Sequence, residues 1–240
     1  MPTPTRTSLA LVVLLTAACG DNQATPAPSS TLAPNAAATS TAPGAGATGN
    51  SPMSQRRGEL INPDDSTMVF LYYDLARLSP PIDSWVEEDR RVRSAPGPDK
   101  AAKRTAVRTE LEAGAAGVRD AGTIRLTMNA KLSDYDPTYE EFTVRALSPS
   151  STVTYSALGQ EISMRFANGN DAQVWRVPKA ASQLIRDRIG YSGASLDALL
   201  QIAAVQPAPA GGTIVVNVVE YELRENRGGA TLGRVRIGGK

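Results

Sequence analysis

Few side chains in this 240-residue sequence could carry out covalent or acid–base chemistry. The single cysteine, Cys19, follows an apolar run that begins at Leu9, and the chain contains no histidine. A lone cysteine cannot form an internal disulfide, and thiolate metal sites need several cysteines. The lack of histidine removes imidazole ligands and the base of Ser-His and Cys-His pairs. Acid–base catalysis would therefore depend on carboxylates.

The first group of carboxylates lies in "SDYDPTYEE", residues 133–141, as Asp134, Asp136, Glu140 and Glu141. These side chains could surround a calcium ion or supply an acid and a base. Calcium needs about six to eight oxygen ligands, and glycoside hydrolysis needs a pair of opposed carboxyl groups. The segment lacks the glycine and the closing glutamate of an EF-hand loop. The pattern favours a polar loop between strands, and no metal is expected.

The second group lies in "SWVEEDRRVR", where Trp85 is close to Glu87, Glu88 and Asp89. A tryptophan beside acids could stack on a sugar ring. The same pattern fits an amphipathic helix with its tryptophan in the core and its charges in ion pairs one turn apart, and we favour that interpretation. The basic residues that follow indicate a solvated helix face, with lipid head-group or glycan contact as the alternative; they are Arg90, Arg91, Arg93, Lys100, Lys103, Arg104 and Arg108.

Other catalytic and cofactor motifs give little support for an enzyme. The string "GAGATG", residues 44–49, matches the glycine pattern of dinucleotide-binding loops, but neither a strand nor a helix pattern flanks it. No serine is followed three residues later by lysine, and no G-x-S-x-G occurs. We therefore expect no cofactor, and enzymatic activity is left open with a preference against it.

The N-terminus has the layout of an export signal. Arg6 precedes an apolar stretch from Leu9 to Leu15, and the small residues Ala17 and Ala18 follow. The apolar stretch is too short to cross a bilayer, which takes about 20 residues. Residues 1–18 are therefore predicted to be a signal peptide.

The segment "LTAAC" resembles the lipobox of bacterial lipoprotein precursors, although Thr16 stands where that family prefers leucine. The resemblance implies that the Cys19 thiol receives a diacylglycerol. It further implies that the signal is cut between Ala18 and Cys19, and that the new amino group is acylated. An ordinary secretory signal that ends in "AAC" is the alternative. Gly20 stands where lipoproteins kept at the inner membrane often have aspartate, which favours a periplasm-facing anchor in the outer membrane.

Residues 19–58 are predicted to form a disordered tether between the lipidated cysteine and a folded domain. They are rich in Pro, Ala, Thr and Gly and have almost nothing to bury. A flexible coil of this length has a root-mean-square reach of roughly 35 Å. The whole chain has 25 Lys plus Arg and 24 Asp plus Glu, and loss of Arg6 with the signal leaves 24 against 24. This balance argues against nucleic-acid binding.

Residues 59–240 are predicted to form one α+β domain. Period-3.6 patterns predict helices, whose segments are 62–79, 82–94, 98–122 and 177–190. Alternating patterns predict strands over 123–132, 140–147, 151–158, 160–169, 213–223 and 230–238. Residues 195–206 fit either pattern, and the turn signals after them favour a strand. We expect N-terminal helices on one face of a largely antiparallel sheet, connected as a meander, with one further helix inserted between strands.

Two functions are consistent with these features. The first is a membrane-tethered envelope lipoprotein whose domain binds another envelope protein or a polymer without catalysis, through an exposed face or sheet edge. The alternative is a carboxylate-based hydrolase acting on cell-wall glycans. A concave pocket with a pair of facing acids roughly 5 to 10 Å apart would favour the hydrolase.

Overall fold

A computed structural model describes residues 53–190, 192–209 and 211–238. The α-helices of this part are α1 (Asp65–Leu75), α2 (Ile82–Glu88), α3 (Arg90–Arg93), α4 (Gly97–Gly117), α5 (Gly169–Ala172) and α6 (Lys179–Ile189). Its strands are β1 (Gly58–Ile61), β2 (Ala121–Asn129), β3 (Glu141–Thr143), β4 (Thr152–Ala157), β5 (Gln160–Phe166), β6 (Val174–Arg176), β7 (Ala194–Ala208), β8 (Gly211–Glu225) and β9 (Thr231–Arg236). Helices and a mixed, largely antiparallel sheet confirm the α+β class.

The main sheet has the strand order β1-β2-β7-β8-β5-β4, and β9 also pairs with β8. The pairs β1–β2 and β5–β8 are parallel, and the other pairs of this sheet are antiparallel. A second sheet contains β3 and β6. The predicted meander is therefore wrong, although the hairpins β4–β5, β7–β8 and β8–β9 join neighbours in sequence. Alternation of apolar residues defines a strand's faces but leaves its partner open.

Alternate residues of the long strands form the core face of the sheet. In β7, Leu196, Ala198 and Leu200 are fully buried, whereas the residues between them are half-buried. This alternation confirms the predicted strand over 195–206. In β8 the buried positions shift from even to odd numbers after Val218, because the register there contains a bulge. The extra residue lets Tyr221 return to the core face.

The second edge of β8 has two partners in succession. Residues 211–216 pair with β5, and residues 220–224 pair with β9. Between them, the Asn168 side-chain oxygen accepts from the Val218 N–H at 2.8 Å, and its nitrogen donates to the Val218 carbonyl at 2.9 Å. The amide thus replaces a missing strand at the junction of β5 and β9.

Helix α1 contacts β4, β5 and β8. Asp64 caps its start by accepting from the Thr67 N–H at 2.7 Å, and residues 68–72 are all buried. This continuous burial shows that α1 is covered on more than one side, and α4 also contacts it. The Phe70 ring lies where a β-carbon at Gly114 of α4 would be, only 2.5 Å from the nearest ring carbon. Gly114 lowers the helix propensity of α4, and the close approach of α1 explains why a residue without a side chain is needed there.

Two predicted elements differ from the observed ones. The helix predicted over 82–94 is broken at Asp89, whose backbone is extended at φ −61° and ψ 130° and whose carboxylate accepts from the Arg91 N–H. Asp89 thus ends α2 and caps α3. The strand predicted over 140–147 is limited to β3, and a 3-10 turn follows at Arg145–Leu147.

The ordered domain begins before Glu59, so residues 53–58 of the predicted tether belong to it. Met53–Gln55 form a 3-10 turn, and Gly58 starts β1. Arg56 is 6% exposed, and its Nη1 lies 2.6 Å from the Asp74 carboxylate of α1. A β-carbon at Gly122 would lie 2.4 Å from the Arg56 carbonyl oxygen. The sequence pattern missed this ion pair because the short segment around Arg56 shows no periodicity that would indicate burial.

The Asn168 junction gives a test of the topology. Asn168→Ala leaves the N–H and the carbonyl of Val218 without their partners, so we expect the free energy of unfolding in urea to fall by about 1–3 kcal/mol. Asn170→Ala is the matched control, because Asn170 is an exposed residue of α5. An equal effect of the two substitutions would show that Asn168 does not connect β5, β8 and β9.

Candidate functional site

The acidic segment 133–141 forms a loop before β3. The Asp136 carboxylate accepts from the N–H groups of Thr138 and Tyr139 at 2.8 and 3.2 Å. The backbones of Asp136 and Glu141 exchange hydrogen bonds at 2.8 and 3.2 Å. Among the described residues, no group of three or more His, Cys, Asp or Glu side chains could hold a metal ion. Asp136 stabilises the turn, in agreement with the preferred interpretation of this segment.

Trp85 of α2 is a core residue. Its side chain is 4% exposed, and its ring makes edge contacts with Phe70 and Tyr73, with centroid distances of 5.9 and 5.3 Å. The indole face is therefore inaccessible to a sugar ring, and the interpretation as a core tryptophan is confirmed.

Most acids near Trp85 form ion pairs, and in the described part of the chain Glu88 does not. Both Glu87 oxygens accept from Arg104, at 2.6 and 2.8 Å, and Asp83 pairs with Arg108. Arg91 bridges Asp89 and Glu110. We expected such pairs one turn apart within a helix, whereas most of these join different helices. The hydrogen bond from Arg104 lowers the pKa of Glu87, which disfavours a role as a general acid.

A row of paired charges crosses the outer face of the main sheet, opposite the core face. Arg125 of β2 contacts Glu59 of β1 at 2.7 Å and Asp197 of β7 at 3.7 Å. Asp197 is directly opposite Glu222 of β8 in the strand register. We call the set Glu59, Arg125, Asp197, Glu220, Glu222, Arg224, Arg234 and Arg236 the outer-face row. The row has no signature in the sequence, because its members come from five strands and only the order of those strands in the sheet brings them together.

Among the acids of the outer-face row, Glu222 has the most hydrogen-bonding and positively charged neighbours. It accepts from the Thr231 hydroxyl at 2.7 Å and lies 2.9 Å from Arg224 and 3.4 Å from Arg234. The Thr231 hydrogen bond and the charges of Arg224 and Arg234 lower the pKa of Glu222. Similarly, Glu220 pairs with Arg236 at 3.4 Å. The row therefore stabilises cross-strand pairing, and a carboxyl held ionised in this way is unsuited to donate a proton near neutral pH.

Two buried tyrosines carry hydroxyl groups without a hydrogen-bond partner within the described part of the chain. They are Tyr155 of β4 and Tyr221 of β8. Burial raises the pKa of Tyr155 to about 12, with a further contribution from the negative charge of Asp65, and burial also raises the pKa of Tyr221. Both phenols remain neutral near pH 7 and lie in the core, so they are not available for acid–base chemistry.

A cavity of about 280 Å³ lies between α6 and the loop before β3. Its lining includes Asp134 and Arg186, two residues that are also exposed to solvent. Within the described residues, neither of these side chains forms an ion pair. The apolar lining consists of Leu132, Phe142 and Ile189. Two residues of opposite charge that are not paired with each other thus line the same small space.

The walls of this cavity are held by aromatic packing and hydrogen bonds. Phe142 is 1% exposed and stacks on Trp175 with a centroid distance of 5.3 Å, and Tyr135 contacts its ring at 5.1 Å. Ser133 is tied to Thr143 of β3: its N–H donates to the Thr143 carbonyl at 2.9 Å, and its hydroxyl accepts from the Thr143 N–H at 2.8 Å. The backbone next to Asp134 is therefore tied to β3.

The lipid-attachment and cleavage residues Cys19 and Ala18 lie outside the described residues, as does "GAGATG". None of the helices in the described part is long and apolar enough to span a membrane. No family model, curated protein or solved structure was found to match this chain.

The hydrogen bond and the positive charges that lower the pKa of Glu222 predict that the stability of the fold depends on pH. Its folded-state pKa is lowered from 4.5, so its contribution is present above pH 4.5 and is lost as the pH falls through the folded value. We expect Glu222→Gln to be less stable than wild type at pH 7, and this difference to shrink below pH 4.5. Urea unfolding of wild type and of the variant over this pH range measures the stability difference at pH 7 and its decrease in acid.

The matched control is Glu161→Gln, which changes an exposed acid of β5. It should leave the pH dependence close to that of wild type. A Glu222→Gln difference of the same size at pH 3 and pH 7 would contradict an ionic role for Glu222.

Proposed function

We propose that this protein is a membrane-tethered envelope lipoprotein, anchored at Cys19 in the periplasm-facing leaflet of the outer membrane, whose domain binds another envelope component without catalysis. Cleavage before Cys19 leaves a lipidated N-terminus, and residues 19–52 then connect the anchor to the ordered domain. More than one acyl chain makes such an anchor stable in a membrane.

The support for the anchor comes from the sequence. The unique thiol follows an apolar stretch and the small residues Ala17 and Ala18, in the arrangement of a lipobox. Residues 20–52 contain no Lys or Arg and few large apolar side chains, a composition that suits a spacer.

The cavity beside α6 is the observation that best supports a binding function for the domain. Most acids of the outer-face row and of α2 lie beside an arginine, whereas Asp134 and Arg186 line one cavity and form no ion pair in the described part of the chain. Desolvation of charges that lack a protein partner is compensated when a ligand supplies the opposite charges. The buried Phe142 ring forms the floor of this cavity.

The alternative, a carboxylate-based hydrolase, has less support. A glycoside hydrolase needs two carboxyl groups on either side of the scissile bond, one of them protonated near neutral pH. The cavity beside α6 has one carboxylate in its lining. The opposed acids Asp197 and Glu222 are on the outer face, where Arg224 and Arg234 help to keep Glu222 ionised. The ionisation and the positions of these acids favour a binding function over a hydrolase.

The anchor predicts a specific mass and location for the protein. Wild type should partition into detergent with the membrane fraction, and intact-mass spectrometry should show a mature chain that begins at Cys19 and exceeds its polypeptide mass by the attached lipid. Cys19→Ala removes the atom that forms the thioether, so unprocessed precursor should accumulate.

Thr25→Ala is the control, because it changes a residue near the cleavage site and leaves the thiol intact. This variant should be processed and lipidated like wild type. Detection of a mature chain with an unmodified Cys19 thiol would refute the lipoprotein assignment.

A further inference from the structure

We propose that the cavity beside α6 binds a small zwitterion, namely a free amino acid or a short unblocked peptide with an apolar side chain. This inference rests on the proposed binding function and adds the position of the site and the class of its ligand. The ligand's ammonium group is placed at Asp134 and its carboxylate at Arg186, while its side chain contacts Leu132, Phe142 and Ile189.

The charges of the lining determine the charges of the ligand. A carboxylate and a guanidinium within 4.0 Å would form an ion pair, and Asp134 and Arg186 share the cavity without one. An anion alone would satisfy Arg186 and be repelled by Asp134, and a cation alone would have the reverse effect. A molecule that carries both charges, separated by a short distance, satisfies both side chains.

The size and the apolar lining limit the ligand further. About 280 Å³ is just below the range of roughly 300–1,000 Å³ for small-molecule sites, so a single amino acid or a dipeptide fits better than a long polymer segment. Phe142 is buried beneath the cavity, and Leu132 and Ile189 are half-buried at its sides. Contact with the exposed parts of Leu132 and Ile189 removes apolar surface from water, which favours a ligand such as leucine over glycine.

Arg186 is an exposed residue whose guanidinium makes a side-chain hydrogen bond within α6. Its Nη2 donates to the Gln183 side-chain oxygen, and the Gln183 amide nitrogen donates to Asp187 at 2.8 Å. This chain of side-chain hydrogen bonds along α6 restricts the guanidinium and leaves further N–H groups of Arg186 for a carboxylate. On the opposite wall, the Ser133–Thr143 hydrogen bonds fix the backbone beside Asp134. A site with restrained charges loses less entropy when it binds a small ligand.

The test is a titration of the full chain, purified from membranes in detergent, with leucine, followed by two-dimensional NMR of the backbone amides. Saturable shifts are expected at Ser133 and Gly190, which line the cavity. N-acetyl-leucine and leucinamide, which each lack one charge, should bind at least about tenfold more weakly, because each loses a charge-assisted hydrogen bond. Leucyl-leucine distinguishes a peptide ligand from a free amino acid, since tighter binding of the dipeptide assigns the site to peptide ends.

Two pairs of variants locate the charges. Asp134→Asn and Arg186→Gln should each weaken leucine binding by about tenfold or more. Their controls are Glu140→Gln, in the same loop, and Arg188→Gln, in the same helix, because both change exposed charges that do not line the cavity. These controls should bind leucine as wild type does.

The proposal is overturned if leucine gives no saturable shift, if leucinamide or N-acetyl-leucine binds as well as leucine, or if the control variants lose as much affinity as the cavity variants. These outcomes leave the lipid mass at Cys19 unaffected, so failure of the zwitterion site is distinguishable from failure of the anchored-protein proposal. Unchanged dispersion of the NMR spectrum in each variant shows that a loss of binding is not a loss of folding.

Discussion

Strand β8 connects the parts of this domain that would otherwise be separate. One of its edges pairs with β7 along its whole length, and the other pairs first with β5 and then with β9. The bulge near Val219 changes which side chains face the core, so that apolar residues on both sides of it are buried. Beyond the bulge, β9 places Gly233 against the Trp175 ring, with no room for a side chain. Trp175 in turn stacks on Phe142, the floor of the cavity. The position of the proposed site therefore follows from the pairing of β8.

The distribution of charge separates structural surfaces from the proposed binding site. Most acids on the outer face of the sheet and on α2 lie beside an arginine, and solvent screening makes the contribution of such exposed pairs to stability small. These surfaces have little net charge to offer a partner. Asp134 and Arg186 differ because they share a cavity without neutralising each other. The same residue types thus have different roles according to whether a partner side chain is within reach.

Local features of this fold could be predicted from the sequence, whereas contacts between distant segments could not. A helix within 62–79, a helix within 177–190 and a strand over 195–206 follow from periodicity and turn residues and are confirmed as α1, α6 and β7. The loop that contains Asp134 was also predicted from its composition. Its neighbour across the cavity, Arg186, could not be identified, because their proximity depends on the pairing of β3 with β6. The strand pattern of β3 gives no information about that partner, and the three residues of β6 are too few to show a period.

The central claim is that the unpaired charges of the cavity beside α6, and not the paired charges of the sheet, bind the ligand. A crystal structure of the protein grown with saturating leucine tests it most directly. The account predicts leucine in the cavity, with its ammonium group within hydrogen-bond distance of the Asp134 carboxylate and its carboxylate on Arg186. Leucine bound only on the outer-face row, or a cavity that contains no leucine under these conditions, would contradict it.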